Sequence, residues 1–363
     1  MDIRDFPDFD GHKLLTLIHH KESGLYGFIA IHDDTLGPAL GGTRMYPYQS
    51  DAEAITDVLR LSRGMTYKAA LAGIKYGGGK CVLVGNPKTD KSDAYFRAYG
   101  RRLNKLGGAY ITAEDVSITV ADIEKVAQAS SYVTGRSEGM HQNVKGSGDP
   151  SPITAIGVLS GIRATLKVAF GDDAIAGRSF AIQGLGKVGF RLARLLHEQG
   201  GRLIITDTDE QMVQRALTEF TGSIFVETSK IHSQDVDVFA PCALGAVIND
   251  TTITELQCKI VAGAANNQLA TPEHGTKLHE LGIFYAPDFV INAGGLINVA
   301  EELAPGGYNH ERAVRKTENI FNTTYSILAE SNRKDVPPRT IAHMKGEEIL
   351  EAGRKLKRAM RNR

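Results

Sequence analysis

Gly184-Leu185-Gly186-Lys187-Val188-Gly189 constrains this chain more than any other stretch. The six residues spell G-x-G-x-x-G, with the strand-like run SFAIQ before them and a helical pattern to about Gln199 behind them. The next strand-like run, RLIIT, ends in Asp207. Strand, glycine turn and helix in that order aim backbone amides and the positive end of a helix at one point, which suits a pyrophosphate. An acid about twenty residues further on can accept hydrogen bonds from ribose hydroxyls. Asp207 has no arginine beside it, so a 2′-phosphate would be repelled and NAD favoured over NADP. Gly184, Gly186 and Gly189, with Lys187 and Val188 between them, are therefore candidate cofactor-binding residues.

Strands and helices alternate through this half as a parallel, doubly wound Rossmann sheet requires. Further strands are expected at 236–239, 259–262 and 283–285. Ligands of such sheets bind at the carboxyl ends of strands. Ala240 and Cys242, Ala264, Asn266 and Asn267 leave two of those ends, and Asn292 opens a helix that runs through Leu296 and Val299 to Leu303. These residues join the cofactor candidates, although asparagines at strand ends also serve simply as turn residues. Residues 311–329 and 337–363 read as helices.

The first half reads differently. Residues 26–32 form a strand, and 37–44 (GPALGGTR) is too glycine-rich for a regular element. Residues 50–72 form a helix, with Ser50 as its cap and Glu53 completing a capping box. Lys68 lies toward its end, where the helix dipole favours a cation. Gly77, Gly78 and Gly79 then run directly into Lys80 and a short strand to Val84. Three glycines cost conformational entropy. Close approach of Lys80 to a small ligand would explain them, and so would a loop with an exposed lysine. Helices at 92–106 and 119–130 flank a strand at 109–112, beyond which Asp115 emerges. Residues 135–151 carry no periodicity and read as the domain junction, with a helix from Pro152 to about Ala169. An α/β catalytic domain over 1–147 and a dinucleotide domain over 148–329 follow, with helices from about 330 packing back on the first.

At 363 residues the chain accommodates two domains. Its 42 basic and 42 acidic residues cancel, which disfavours nucleic-acid binding. The start MDIRDFPDFDGHKLL lacks the pattern of a signal peptide, and no apolar stretch approaches transmembrane length. Cys81, Cys242 and Cys258 suit neither a disulfide framework nor a metal site. A cytoplasmic location, with no membrane and no metal, is expected. Asn322-Thr323-Thr324 is a chance sequon, and the basic end RKLKRAMRNR reads as a solvated helix terminus.

Several ordered blocks between about Gly37 and Val299 carry a resemblance. They are GPALGGTRM, LRLSRGMTYKAALAGIKYGGGK, TAEDV, GDPSPITAIGV, QGLGKVG, FAPCALG, AGAANNQL and PDFVINAGGLINVA. Together they resemble the glutamate/leucine/phenylalanine/valine dehydrogenase family, its leucine dehydrogenase branch most closely. The resemblance implies that Lys68 binds a substrate α-carboxylate, with Gly41 and Gly42 beside it. It implies that Lys80 activates the water that attacks an imine, and that Asp115 assists proton transfer at the amino nitrogen. A salt bridge between Lys68 and Asp115 is the plainer alternative. The implied reaction is NAD-dependent oxidative deamination of an L-amino acid to a 2-oxo acid and ammonia, in a homo-oligomer.

Glutamate-specific relatives hold the side-chain carboxylate with a lysine and a serine. The matching positions here are Leu40 and Val299, and an unpaired buried carboxylate is costly. With Ala113 and Leu296 they imply an apolar pocket, although Leu296 is larger than the valine expected of leucine enzymes. One methylene changes selectivity by only about 1–3 kcal/mol, so leucine, isoleucine and valine are not separated. Aromatic amino acids are an open alternative. So, from another class, is a catalytically silent NAD-binding sensor.

Overall fold

The computed structural model describes residues 2–137 and 145–361. They form two compact units. The first comprises Met1–Pro150, Leu296–Ala313 and Gly346–Arg363, the second Ser151–Gly295 and Val314–Lys345.

The first unit is built on a five-stranded mixed sheet. Its strands are β1 (Leu14–His20), β2 (Leu25–Asp33), β3 (Ala39–Tyr46), β4 (Gly77–Val84) and β5 (Tyr110–Glu114), in the order β1-β2-β4-β3-β5. β1 and β2 pair antiparallel, as do β2 and β4, whereas β4, β3 and β5 run parallel. One face is covered by α1 (Asp51–Leu71), where Ala54, Val58 and Leu59 meet Phe28, Ala30 and Val82. The other is covered by α2 (Asp93–Asn104) and α3 (Val120–Ala127), where Tyr95, Tyr99 and Ile123 meet Ile29, Met45, Cys81 and Leu83. Ser50 caps α1 by accepting the Glu53 amide, a contact worth about 1 kcal/mol. The Glu53 carboxylate reaches the amide of Gln49, one residue before the cap. In α3 the capping box of Thr119 and Asp122 is complete.

The glycine-rich segments depart from the sequence reading. GPALGGTR does not stay irregular: from Ala39 it is the strand β3, between β4 and β5. The glycine run before Lys80 is likewise the start of β4. The cause is crowding. A Cβ on Gly41 would lie 1.8 Å from the Gly79 carbonyl oxygen, one on Gly78 2.2 Å from the Thr66 amide nitrogen of α1, and one on Gly79 2.7 Å from the Tyr110 ring. These glycines let a helix and two strands approach one another, so the space beside them holds protein rather than a ligand. β1 escaped the sequence reading because its burial follows no clean alternation, with one buried residue among seven.

The second unit carries a six-stranded, all-parallel sheet in the order β11-β10-β9-β6-β7-β8. Its strands are β6 (Ser179–Gln183), β7 (Arg202–Thr206), β8 (Ile224–Phe225), β9 (Val238–Pro241), β10 (Ile260–Val261) and β11 (Phe284–Tyr285). Its helices include α4 (Ser151–Phe170), α5 (Lys187–Glu198), α6 (Glu210–Glu219), α7 (Glu273–Glu280) and α8 (Asp288–Ile291). The remaining helices are α9 (Gly294–Glu301), α10 (His310–Glu318), α11 (Ile320–Lys334) and α12 (Pro338–Arg361), of which α9, α10 and α12 carry the chain between the units. The expected helix over 311–329 is thus two, α10 and α11, broken at Asn319. α4 corrects a further expectation. Its 20 residues are long and apolar enough to cross a membrane by length and composition. It packs instead among α5, α8 and α11, with Ile153, Val158, Ile162 and Leu166 buried.

Candidate active site

Alternation along the strands sorts the chemistry onto one face. In β4, Cys81 and Leu83 point to the α2–α3 side, so Lys80 points to the α1 side with Val82. In β5, Thr112 bonds to Tyr99 of α2, which turns Ala113 and, beyond the strand end, Asp115 to the α1 side. There the Lys80 Nζ lies 2.8 Å from Asp115 Oδ2. Arg44 of β3 approaches the same oxygen through Nε at 3.2 Å, and its other arm reaches Asp57 of α1 at 3.1 Å. The Tyr48 hydroxyl donates to Asp57 at 2.6 Å, and Arg60 donates at 2.8 Å. Lys80 is 4% exposed.

Burial alone would raise the Asp115 carboxyl, but Lys80 and Arg44 hold it down at about 2. It therefore stands as a charged acceptor between two cations. Gly42 keeps this corner open, because a Cβ there would sit 2.7 Å from that of Asp115. Behind Lys80, burial pushes the Cys81 thiol up to about 12, which removes it as a nucleophile.

Lys68 lies in the last turn of α1, half-buried, between Tyr67 and Ala69, which are buried. Gly41 is part of β3, its carbonyl accepting the Tyr110 hydroxyl at 2.7 Å. Leu40, directly paired with Gly78, has no exposed surface. Ala113 and Val299 are each 5% exposed and Leu296 8%. The first unit thus brings together Lys80 and Asp115, and Asp115 pairs with Lys80 and Arg44.

The second unit gathers the other candidates at the carboxyl ends of β6, β7, β9 and β10. Gly184 has φ +101°, and a Cβ on it would meet Ala243 at 2.8 Å. One on Gly189 would strike the Gly184 carbonyl at 2.0 Å, while one on Gly186 would meet nothing within 4 Å. Two glycines are thus required by the turn and by helix packing, and the third leaves the α5 N-terminus open to a ligand, as a bound pyrophosphate needs. Lys187 and Val188 begin α5 there. Asp207 accepts the Leu185 amide at 2.5 Å and the Asp209 amide at 2.9 Å, which fixes its carboxylate against the glycine turn.

Ala240 lies in β9, and the Cys242 amide donates to the Gln183 carbonyl at 2.7 Å. Asn292 donates to the Ala264 carbonyl at 3.2 Å and to Asn266 Oδ1 at 2.9 Å. Among the described residues its own side-chain oxygen is buried without a partner, an acceptor left for an amide N–H. Asn267 holds φ +53°. An open helix N-terminus, a fixed acid and a free buried acceptor fit a dinucleotide that ends in a carboxamide.

Two family models cover most of the chain. One, the Glu/Leu/Phe/Val dehydrogenase dimerisation domain, matches residues 15–132, and the other, Glutamate/Leucine/Phenylalanine/Valine dehydrogenase, matches 205–363. The chain is 49% identical over 355 residues to the leucine dehydrogenase of Geobacillus stearothermophilus, spanning 98% of this chain and 95% of that one. The chain belongs to the glutamate/leucine/phenylalanine/valine dehydrogenase family. It is 44% identical over 356 residues to the phenylalanine dehydrogenase of Bacillus thermotolerans, spanning 97% of this chain and 91% of that one. The structure of L-tryptophan dehydrogenase from Nostoc punctiforme superposes with a TM-score of 0.82 at 42% identity, covering 95% of this chain and 97% of that one.

This member of the family is an amino acid dehydrogenase. Its site includes residues that sequence reasoning passed over. Arg44 escaped because 37–44 read as irregular, so no strand alternation placed it on the Lys80 face. Asp57 and Tyr48 were not readable, because a helix and a turn bring them to Arg44 only in the folded chain.

Proposed function

We propose that this dehydrogenase catalyses NAD-dependent oxidative deamination of an apolar L-amino acid of leucine, isoleucine or valine type, and the reverse reductive amination. The observation that carries the reading is the pair of a buried Lys80 and a half-buried Asp115 on the same sheet face as Ala113. The first unit supplies the substrate's contacts and the second the cofactor's. Gly184, Gly186 and Gly189 with the α5 N-terminus would hold the pyrophosphate, Asp207 the ribose and Asn292 the carboxamide. The chemistry supplied there would be that of a hydride acceptor for the substrate α-carbon.

The remaining steps belong to the chain's own residues. Lys68 pairs with the α-carboxylate and fixes the α-carbon. Once Lys80 has passed its own proton to the Asp115 carboxylate beside it, the neutral amine takes a proton from the water that adds to the substrate imine, and Asp115 returns its proton at the amino nitrogen as ammonia leaves. Arg44 keeps Asp115 in place and charged. Leu40, Ala113, Leu296 and Val299 offer the side chain no charged partner, which disfavours glutamate. The similarity to phenylalanine and tryptophan dehydrogenases supports a second reading, the same reaction on an aromatic amino acid.

The matched dimerisation-domain model supports a homo-oligomer. Three free cysteines, Cys81, Cys242 and Cys258, suit the reducing cytoplasm. The test is product balance. Leucine and NAD should yield NADH, ammonium and the 2-oxo acid in equal amounts. NAD bound without any product, on every amino acid offered, would instead identify a silent sensor.

A further inference from the structure

The substrate pocket read above contains one carboxylate with no assigned task. Glu302 follows α9 directly and is 2% exposed. Its Oε2 accepts the Gly135 amide at 3.1 Å and the Thr134 hydroxyl at 2.9 Å. Its Oε1 accepts the Arg136 amide at 3.1 Å and the Ser147 amide at 2.5 Å. A carboxylate has about four lone-pair sites, and four donors converge on these. Three of the four are main-chain amides, so what the carboxylate fixes is backbone. It ties the segment 134–136 to Ser147 and both to the end of α9.

The fixed backbone faces the pocket residues. Gly135 holds φ +81°, and a Cβ built on it would lie 3.6 Å from Val299 Cγ1, 3.9 Å from the Ala113 Cβ and 4.0 Å from the Glu114 amide nitrogen. The main chain at Gly135 therefore walls the space between Ala113 and Val299. The Thr134 hydroxyl also lies 2.6 Å from the Val299 carbonyl, so the same threonine touches the helix that supplies Val299. Leu296, Val299 and Glu302 follow one another at three-residue spacing, which puts two wall residues on neighbouring turns of α9 and the clamp just past its end.

We propose that Glu302 is a positioning residue for amino-acid selectivity, gathering the 134–136 and 147 backbone so that Gly135 closes the side-chain pocket beside Ala113 and Val299. The proposal rests on the reading that Ala113 and Val299 line that pocket. Glu302 touches neither substrate nor reacting atoms. Its effect passes through Gly135.

The test is Glu302→Gln in the full-length enzyme, assayed for kcat and KM on L-leucine, L-valine and L-2-aminobutyrate, with NADH affinity and thermal unfolding measured alongside. A glutamine amide presents N–H groups to donors and loosens the clamp without changing its size. The leucine-to-2-aminobutyrate ratio of kcat/KM should fall about tenfold, mainly through KM for leucine, with NADH affinity unchanged. Equal losses on all three substrates, or lowered stability with unchanged ratios, would overturn the proposal. Should Glu302→Gln not fold, Thr134→Val decides, since it removes one donor at constant shape. It should narrow the ratio in the same direction, and Thr134→Ser should restore it. An unchanged ratio in Thr134→Val would overturn the proposal. Ala113→Val tests the underlying pocket reading by itself. It should reduce leucine relative to 2-aminobutyrate, and no change there would remove the pocket, and the proposal with it, whatever Glu302→Gln shows.

Discussion

Replacing Lys80 by alanine separates its chemical role from its structural one. Lys80 is the larger of two cationic influences on Asp115, ahead of Arg44, and together they bring the carboxyl from 3.8 to about 2 against the opposing pull of burial. That difference, just under two pH units at 1.36 kcal/mol each, is about 2 kcal/mol favouring the ionised form. The native carboxyl is the more acidic, so its contribution is present above the unfolded value near 3.8 and lost as pH falls toward about 2. In Lys80→Ala, Arg44 remains at 3.2 Å, but burial is opposed by one cation instead of two, and the carboxyl rises. Urea unfolding at neutral pH should show lowered stability, with the acid-side decline in stability beginning at higher pH than in the wild type. Turnover should drop by about a thousandfold or more, as loss of a general base does. NADH affinity should hold within about twofold, because the dinucleotide candidates all lie in the other unit. Turnover within about tenfold of wild type, or a superimposable pH profile of unfolding, would refute the reasoning.

Three further substitutions probe other parts of the account. Asp207→Ala should weaken NAD binding and relax discrimination against NADP, read as the ratio of the two affinities; an unaltered ratio would count against the ribose role. Gly78→Ala should cost more than about 3 kcal/mol of stability or abolish folding, since its Cβ would lie 2.1 Å from the Thr66 hydroxyl and 2.2 Å from the Thr66 amide, and overpacking cannot relax there. Chemical denaturation measures it, and a stable variant would contradict the packing role of the glycine run. Gly135→Ala should lower kcat/KM for leucine more than for 2-aminobutyrate, through a methyl placed between Val299 and Ala113. It should also cost about 1–2 kcal/mol for a left-handed non-glycine residue.

The dinucleotide half was the more legible because its signals are local. The strands at Ser179–Gln183 and Arg202–Thr206 and the turn between them occupy the residues that periodicity and glycine spacing indicate. The catalytic half was less so. Its glycines mark close packing between α1, β3, β4 and Tyr110, which a local reading takes for a loop or a ligand's approach. Asp115 and Lys80 could be singled out, yet nothing local announced that Arg44 would share the same oxygen. Glu302 was still harder to see, since its partners at 134–136 and 147 lie over 150 residues away in the chain. Hydrogen bonds of that span leave no periodicity behind.

The most direct measurement is kcat/KM for NADH formation by the purified protein on L-leucine, L-valine, L-phenylalanine, L-tryptophan and L-glutamate. An apolar pocket at Leu40, Ala113, Leu296 and Val299, working with the Lys80–Asp115 pair, predicts the highest value on leucine or valine and the lowest on glutamate. Preference for an aromatic would keep the chemistry and overturn the pocket. Preference for glutamate, or silence on all five with NAD bound, would contradict the account at its centre.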